Sequence, residues 1–129
     1  MAFGPDHLAK MKSGIDCFNK QQYWECHEEL EHVWLEDRDD PTRNVYWAVI
    51  QVAAAMIHYR EKHLIGAVNM INKAREKFRR VRDMNIVSPL LLDRLDWEEL
   101  EAMVAAVPEK ASDLTPFAPL FDFRFRKYQ

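Results

Sequence analysis

Histidine and glutamate residues with the spacing of one helix face occur in the segment 23–36, and they are the residues best suited to chemistry in this sequence. On a helix that turns about 100° per residue, His27 and Glu31 fall in the middle of an apolar arc, and Glu28 lies at its edge. The arc also holds Trp24, Trp34 and Leu35. A carboxylate on a buried stripe is costly unless it is paired, hydrogen-bonded, protonated or bound to a metal. We therefore expect Glu31 to have a partner on a neighbouring helix.

The next helix supplies two candidate partners. It is predicted to run from Thr42, as its cap, to about Glu61, and between residues 45 and 59 it is apolar on every face except at Gln51 and His58. A helix that is hydrophobic all round belongs in the centre of a bundle. Gln51 and His58 are seven residues apart and share a face, and two alanines between them permit close approach of another helix.

The sequence therefore predicts a polar cluster between the second and third helices, with three interpretations. The first is a hydrogen-bond network that fixes the register of the helices. The second is a site for a divalent metal such as zinc, iron or manganese, which two histidines and two carboxylates suit. The third is an acid/base site for a small molecule, because such clusters perturb pKa values. The candidate metal ligands and the candidate catalytic residues are the same four, His27, Glu28, Glu31 and His58, with Gln51 and Trp34 in support.

Two motifs in the same segment are excluded. Glu29 and His32 have the spacing of a di-iron ligand pair, but that architecture needs a second copy on another helix, and none occurs. The run from His27 to Glu31 ends in glutamate where a zinc protease needs its second histidine.

Composition excludes further classes of protein. There are only three glycines, where an average chain of this length has about nine. A P-loop and a dinucleotide-binding turn both need closely spaced glycines near phosphate, so the common nucleotide folds are excluded. No serine stands in a G-x-S-x-G motif, which excludes hydrolases built on that turn.

The cysteines and the apolar runs bear on location. Cys17 and Cys26 are nine residues apart, which matches neither a zinc knuckle nor a redox pair, so both are predicted to be reduced thiols. The amino-terminal residues lack the pattern of a secretory signal, and the apolar run from Val45 to Ile57 is too short to cross a bilayer. We expect a cytoplasmic protein without a membrane segment.

Helical periodicity dominates the chain and predicts an all-α bundle of about five helices in a single domain, residues 1–129. Four helices precede a fifth that is opened by a capping box of Asp96 and Glu99, and a short turn lies before it. The predicted elements are helices over 5–20, 23–36, 42–61, 64–83 and about 97–107, the turn 88–92, and an extended tail over 112–129.

The tail alternates Phe121, Phe123 and Phe125 with charged residues, a period of two that is typical of extended backbone. Three aromatic rings on one side of an extended segment would be exposed to water unless another surface packs against them. One interpretation is that the tail fills a groove on its own bundle. The other, which we favour here, is a homodimer in which the tail packs on the neighbouring subunit.

Charge is strongly segregated along the chain. Residues 24–40 contain eight carboxylates and one arginine, a net charge of −7, whereas residues 60–82 have a net charge of +6. Acidic helices that flank a basic one are favourable within a single bundle. The pI near 5.9 argues against a nucleic-acid partner.

Three spaced blocks occur in the order expected of a known family. They are Phe18-Asn19 with WECHEELEHVW (24–34), IQVAAA (50–55) with His58, and Gly66-Ala67. These blocks resemble the signature of domain-of-unknown-function family 309, small all-helical intracellular prokaryotic proteins, over about residues 14–80. The resemblance implies a helical bundle and the same polar cluster, and it implies no activity.

The residues and the resemblance together leave the function undetermined and the question of an enzyme open. The working hypothesis is a small intracellular protein that binds a small molecule or a divalent metal at the polar cluster. The alternative is a non-catalytic scaffold or subunit in which the cluster is a purely structural hydrogen-bond network.

Overall fold

Helices account for the whole regular structure of residues 2–128, which are the residues that the computed structural model describes. Within them the chain forms eight α-helices, three short 3-10 helices and no strand, and its buried apolar side chains form one core. The predicted all-α fold is confirmed, whereas the count of about five helices was wrong. The helices are α1 (Pro5–Lys10), α2 (Lys12–Asn19), α3 (Tyr23–Glu36), α4 (Asn44–Arg60), α5 (Leu64–Asp83), α6 (Pro89–Arg94), α7 (Trp97–Ala105) and α8 (Ala118–Asp122).

Met11 separates α1 from α2, which the periodicity predicts as one helix from Pro5 to Lys20. Its amide N–H is shared between the carbonyls of His7 and Leu8, at 3.2 and 3.1 Å. Such a shared bond is typical of a turn tightened toward 3-10 geometry, and the Met11 side chain is fully buried there. The first predicted helix is therefore two short helices joined at a buried methionine.

The central helix α4 packs between α3 and α5. Its side chains from Val45 to Met56 are buried on nearly every face, as its uniform apolarity predicts. The cap at its start was predicted wrongly: the N-cap position of α4 is Arg43 rather than Thr42, and no side chain caps the helix there. Asp40 Oδ1 accepts a hydrogen bond from the Thr42 amide at 2.9 Å and begins a 3-10 turn, Pro41–Arg43, that leads into α4.

Arg75 of α5 holds the C-terminal end of α7. Its guanidinium donates hydrogen bonds to the carbonyls of Val104 and Val107, at 3.0 and 2.8 Å. Carbonyls at a helix end lack partners within the helix, so the arginine satisfies groups that would otherwise be unpaired. Arg82 forms an ion pair with Glu101 of α7. Basic residues of α5 thus serve the packing of the bundle, as the charge segregation predicts.

The turn after α5 and the start of α7 differ from the prediction. Ser88 Oγ accepts a hydrogen bond from the Leu91 amide at 3.2 Å, so the predicted turn is the short helix α6. The predicted capping box is not formed, because Asp96 has left-handed backbone (φ 48°) and its side chain does not cap α7. Its Oδ2 instead accepts a hydrogen bond from the Lys127 amide at 3.2 Å.

The C-terminal tail is mostly helical, so its predicted extended form was wrong. It contains a 3-10 turn at Thr115–Phe117, α8, and a second 3-10 turn at Arg126–Tyr128. Only residues 123–125 between them lack helical structure.

The tail packs on its own chain. Phe123 and Phe125 are buried, and their ring centroids lie 6.2 and 4.9 Å from that of Phe18 in α2. Asn19 Oδ1 accepts from the Phe125 amide at 2.8 Å, and its Nδ2 donates to the Phe125 carbonyl at 3.3 Å. The tail fills a groove on its own bundle, so the prediction of exposed tail aromatics was wrong and they give no argument for a homodimer. The homodimer itself stays a prediction.

No helix within residues 2–128 is both long enough and apolar enough to cross a bilayer.

Candidate functional site

The orientation of α3 decides which of its side chains can form a site. Its buried residues are Tyr23, Cys26 and Leu30, so the centre of its core-facing side lies roughly 90° around the helix from the midpoint of His27 and Glu31. The prediction failed because it counted Trp24 and Leu35 as inward, whereas both are exposed.

This rotation places the predicted chemical residues at the border of α3 rather than on its buried stripe. The His27 side chain is 28% exposed and that of Glu31 is 52% exposed. Glu28 is exposed as well. The prediction that Glu31 is buried and must have a partner was therefore wrong, and its carboxylate is partly solvated.

A cavity of about 170 Å³ lies between α3, α4 and α5, and we call it the α3–α4–α5 pocket. It brings together two of the four candidate chemical residues, both predicted supporting residues and a lysine that the sequence analysis did not select. Its lining residues are His27, Glu31 and Trp34 of α3, Trp47, Ile50, Gln51 and Ala54 of α4, and Met70 and Lys73 of α5.

His27 is held against the exposed ring of Trp24. The two rings are nearly parallel, at 5° with centroids 5.7 Å apart. His27 Nε2 lies 3.8 Å from Glu31 Oε2, which is close enough for electrostatic attraction and too long for a direct hydrogen bond. The imidazole is thus oriented by stacking, and its ring nitrogens are not engaged by Glu31.

Gln51 and Trp34 have polar atoms without partners. Gln51 is only 8% exposed, and its Oε1 is buried without a hydrogen bond. The indole Nε1 of Trp34 is also buried and unpaired. An unpaired buried polar group costs about 1–3 kcal/mol of desolvation. The hydrogen-bond network predicted for the cluster is therefore not formed at Gln51.

The rings of Trp34 and Trp47 form one wall of the pocket, and each is in contact with a cation that does not itself line the pocket. The ring centroids of Trp34 and Trp47 lie 5.0 Å apart. Arg43 stacks over Trp34 at 4.2 Å, and Lys77 Nζ lies 4.1 Å from the Trp47 centroid. Burial lowers the pKa of Lys77. Neither Trp47 nor Lys77 is singled out by the sequence pattern, because their contact depends on the packing of α4 on α5.

His58 lies outside the α3–α4–α5 pocket. It lines a separate apolar depression with His63, Leu64, Ile65 and Gly66, where α4 turns into α5. Its Nδ1 is buried without a hydrogen-bond partner. The prediction that His58 shares one site with the residues of α3 was wrong.

The predicted metal ligands are not assembled. Among residues 2–128, no three side chains of histidine, cysteine, aspartate or glutamate come close enough together to hold a metal ion. Of the four predicted ligands, His27 and Glu31 line the pocket, His58 lines another depression, and Glu28 faces solvent. The residues present do not fit the predicted metal centre.

The cysteines are free, as predicted. Burial raises the pKa of both the Cys17 and the Cys26 thiol. A raised pKa favours the protonated thiol over the more nucleophilic thiolate.

The fold and the pocket define a small all-helical bundle protein with a lateral pocket between three adjacent helices. Residues 11–70 match the family described as "Domain of unknown function (DUF309)", which confirms the resemblance predicted from the sequence. This segment includes every lining residue of the pocket except Lys73.

One curated relative is the uncharacterized protein YpuF of Bacillus subtilis (strain 168), which is 31% identical to this chain over 91 residues. The aligned part is 66% of this chain and 52% of the relative, so the chain spans about half the length of the curated relative it matches. No solved structure matches the chain with significance. The comparisons therefore establish no function.

Proposed function

We propose that this protein binds a small organic molecule in the α3–α4–α5 pocket. The observation that supports the proposal most strongly is the side chain of Gln51, which lines the pocket and whose buried Oε1 has no partner in the protein. Buried polar groups in folded proteins are nearly always hydrogen-bonded. A ligand that donates a hydrogen bond to Gln51 would satisfy this atom.

The dimensions of the pocket suit a small ligand. Its volume of about 170 Å³ is comparable to that of a cavity, near 150 Å³, that accepts a benzene molecule. The side chains of Ile50, Ala54 and Met70 provide apolar surface. A few convergent polar groups on apolar walls are typical of small-molecule sites.

We assign to His27 and Glu31 the polar contacts that select one ligand over another. His27 has ring nitrogens that can donate or accept, and Glu31 is an acceptor at the solvent-facing border. If the bound molecule is also a substrate, His27 is the acid/base group within reach of it, and Glu31 is its neighbouring carboxylate. Glu28 and His58 have no part in this proposal, since neither lines the pocket.

The alternative is a scaffold without a ligand. A structural network would satisfy its own polar atoms, and the unpaired Gln51 Oε1 and Trp34 Nε1 count against that interpretation. The predicted cytoplasmic location is part of the working hypothesis and stays a prediction.

Screening a library of small polar fragments by NMR tests the proposal. We expect binders of the wild-type chain to shift the side-chain amide signals of Gln51 and the indole signals of Trp34 and Trp47. In Gln51→Leu, the affinity of these binders should fall about tenfold, since a charged or polar group on the ligand loses its hydrogen bond. The thermal stability of the variant should be unchanged or higher, because an unsatisfied buried amide is removed.

Two histidines on one helix give a matched control. His27→Gln should weaken binding, whereas His32→Gln should not, because His32 is exposed and lies outside the pocket. Binders that shift only other surfaces, or that bind Gln51→Leu as tightly as the wild type, would show that the pocket is not a binding site.

A further inference from the structure

Two side chains of opposite charge line the α3–α4–α5 pocket from different helices. Glu31 belongs to α3 and Lys73 to α5. Among the residues that the structure describes, the two do not form an ion pair within 4.0 Å. The one charged contact of Glu31 is His27, at 3.8 Å. The pocket therefore keeps a carboxylate and an ammonium group apart.

The wider charge pattern reinforces this separation. The segment that contains α3 has a net charge of −7, and the segment that contains most of α5 has a net charge of +6. On the α5 side, Lys77 and Arg80 lie 4.1 and 5.6 Å from the centroid of the Trp47 ring that forms part of the pocket wall. A cleft between surfaces of opposite sign orients a dipolar ligand.

Uncharged side chains also line the pocket. Ile50, Ala54 and Met70 contribute apolar surface. Gln51 contributes a buried acceptor that lacks a donor. An ammonium group has three N–H donors and no acceptor, so it can bind a carboxylate and an amide oxygen at the same time.

We propose, building on the proposed function, that the ligand of this pocket is a small zwitterion, with an ammonium group and a carboxylate joined by a short apolar spacer. The ammonium group binds Glu31 and donates to Gln51 Oε1, beside His27. The carboxylate binds Lys73. The spacer lies on the apolar surface of α4 and α5. A molecule with only one charge leaves one of the two charged side chains without a partner.

The test compares four probes of nearly equal size: 4-aminobutanoate, butanoate, 1-aminobutane and butanamide. They have about five to seven non-hydrogen atoms each, which the pocket volume accommodates. Binding to the full chain is measured by NMR titration of the Gln51 side-chain amide. We expect 4-aminobutanoate to bind about tenfold more tightly than each of the other three probes, as two charge-assisted contacts replace one or none.

Charge-neutralising variants assign each end of the zwitterion. In Glu31→Gln, 4-aminobutanoate should bind no better than butanoate, and in Lys73→Gln it should bind no better than 1-aminobutane. The matched controls Glu29→Gln and Lys110→Gln remove exposed charges that do not line the pocket, and the preference for 4-aminobutanoate should persist in both.

The outcomes separate this inference from the proposed function. Equal affinity of all four probes, with shifts at Gln51, overturns the zwitterion and leaves a small-molecule pocket in place. A preference for 4-aminobutanoate that survives both Glu31→Gln and Lys73→Gln also overturns it. Failure of all four probes overturns the zwitterion as well. The pocket itself is overturned only if the fragment library yields no binder at Gln51 or if its binders bind Gln51→Leu as tightly as the wild type.

Discussion

Gly66 allows α5 to pass His58 at close range. A Cβ atom at position 66 would lie 2.3 Å from His58 Nδ1 and 2.7 Å from its Cγ, so the whole imidazole ring would have to move. Overpacking of this kind costs about 1–3 kcal/mol. Alanine favours a helix over glycine by about 1 kcal/mol, which offsets only part of that cost.

We therefore expect Gly66→Ala to lower the free energy of unfolding by up to about 2 kcal/mol in urea denaturation. Gly4→Ala is the control, because a Cβ at position 4 meets its nearest atom at an ordinary 3.8 Å. If the clash is the cause, Gly66→Ala should cost less in a His58→Ala background. Equal costs in both backgrounds would refute it.

Residue patterns predict the pocket in part. His27, Glu31, Trp34 and Gln51 were selected from periodicity and do line one cavity. His58 was selected because it shares a face with Gln51, but seven residues along a helix correspond to about 10.5 Å. Helical spacing determines which face a residue lies on but not its distance along the helix axis from the site. A small pocket can therefore contain only one of Gln51 and His58.

The wrong prediction that Glu31 is buried shows a second limit of sequence patterns. Single apolar residues on a surface are common, and Trp24, at 57% exposed, is one. When a helical-wheel projection counts such an exposed residue as buried, the predicted buried face of the helix is rotated away from the true one. Lys73 and Met70 were missed because their place in the site depends on how α5 packs against α4.

At the scale of elements, Asn19 joins the end of α2 to the tail. Its side chain makes hydrogen bonds to both the N–H and the C=O of Phe125. We expect Asn19→Ala to lower the free energy of unfolding by about 1–3 kcal/mol, because it leaves two backbone groups unpaired next to a buried ring. Lys20→Ala, at the next and exposed position, should be nearly neutral.

Hydrogen exchange measures the same prediction locally. The amide of Phe125 should lose protection in Asn19→Ala, whereas amides at the centre of α4 should keep theirs relative to global stability. Retained protection at Phe125 would mean that burial of its ring, rather than the hydrogen bonds of Asn19, holds the tail.

Element boundaries were predictable where local signals are strong. The bounds of α3 and α5 agree with the prediction, since each helix has a long amphipathic pattern. The tail was not predictable in this way. Alternation of Phe121, Phe123 and Phe125 suits an extended segment, but Phe121 lies in α8 and only residues 123–125 are extended. In this short segment tertiary burial outweighs the local pattern.

At the scale of the whole molecule, His7 and Asp40 connect α1 to the loop between α3 and α4. The Gly4 amide donates to His7 Nδ1 at 2.9 Å, so Nε2 carries the proton that is donated to Asp40 Oδ2, at 2.7 Å. Burial alone would raise the pKa of Asp40. The hydrogen bonds from His7 and Thr42 outweigh burial and lower this pKa below its ordinary value of 3.8.

A carboxylate with a lowered pKa in the folded state stabilises the fold at pH values above its unfolded pKa, and this stabilisation is lost as the pH falls through the folded pKa. We expect Asp40→Asn to be less stable than the wild type by about 1 kcal/mol at pH 7, with the difference shrinking below pH 3.8. Thermal melts from pH 7 to pH 2 measure this. Asp39→Asn, at an exposed position, should show no such dependence, and a constant difference for Asp40→Asn would contradict the prediction.

The tail of the molecule has a consequence for the order of synthesis. Phe18 of α2 is covered by Phe125, and Asn19 and Phe125 are separated by 106 positions in the chain. A ribosome makes α2 early and the residues that cover it much later. A nascent chain therefore leaves the side of Phe18 that Phe125 covers exposed throughout the translation of α3 to α8. The finished fold can close only after Phe125 has left the exit tunnel, and during that interval the surface around Phe18 is available to chaperones.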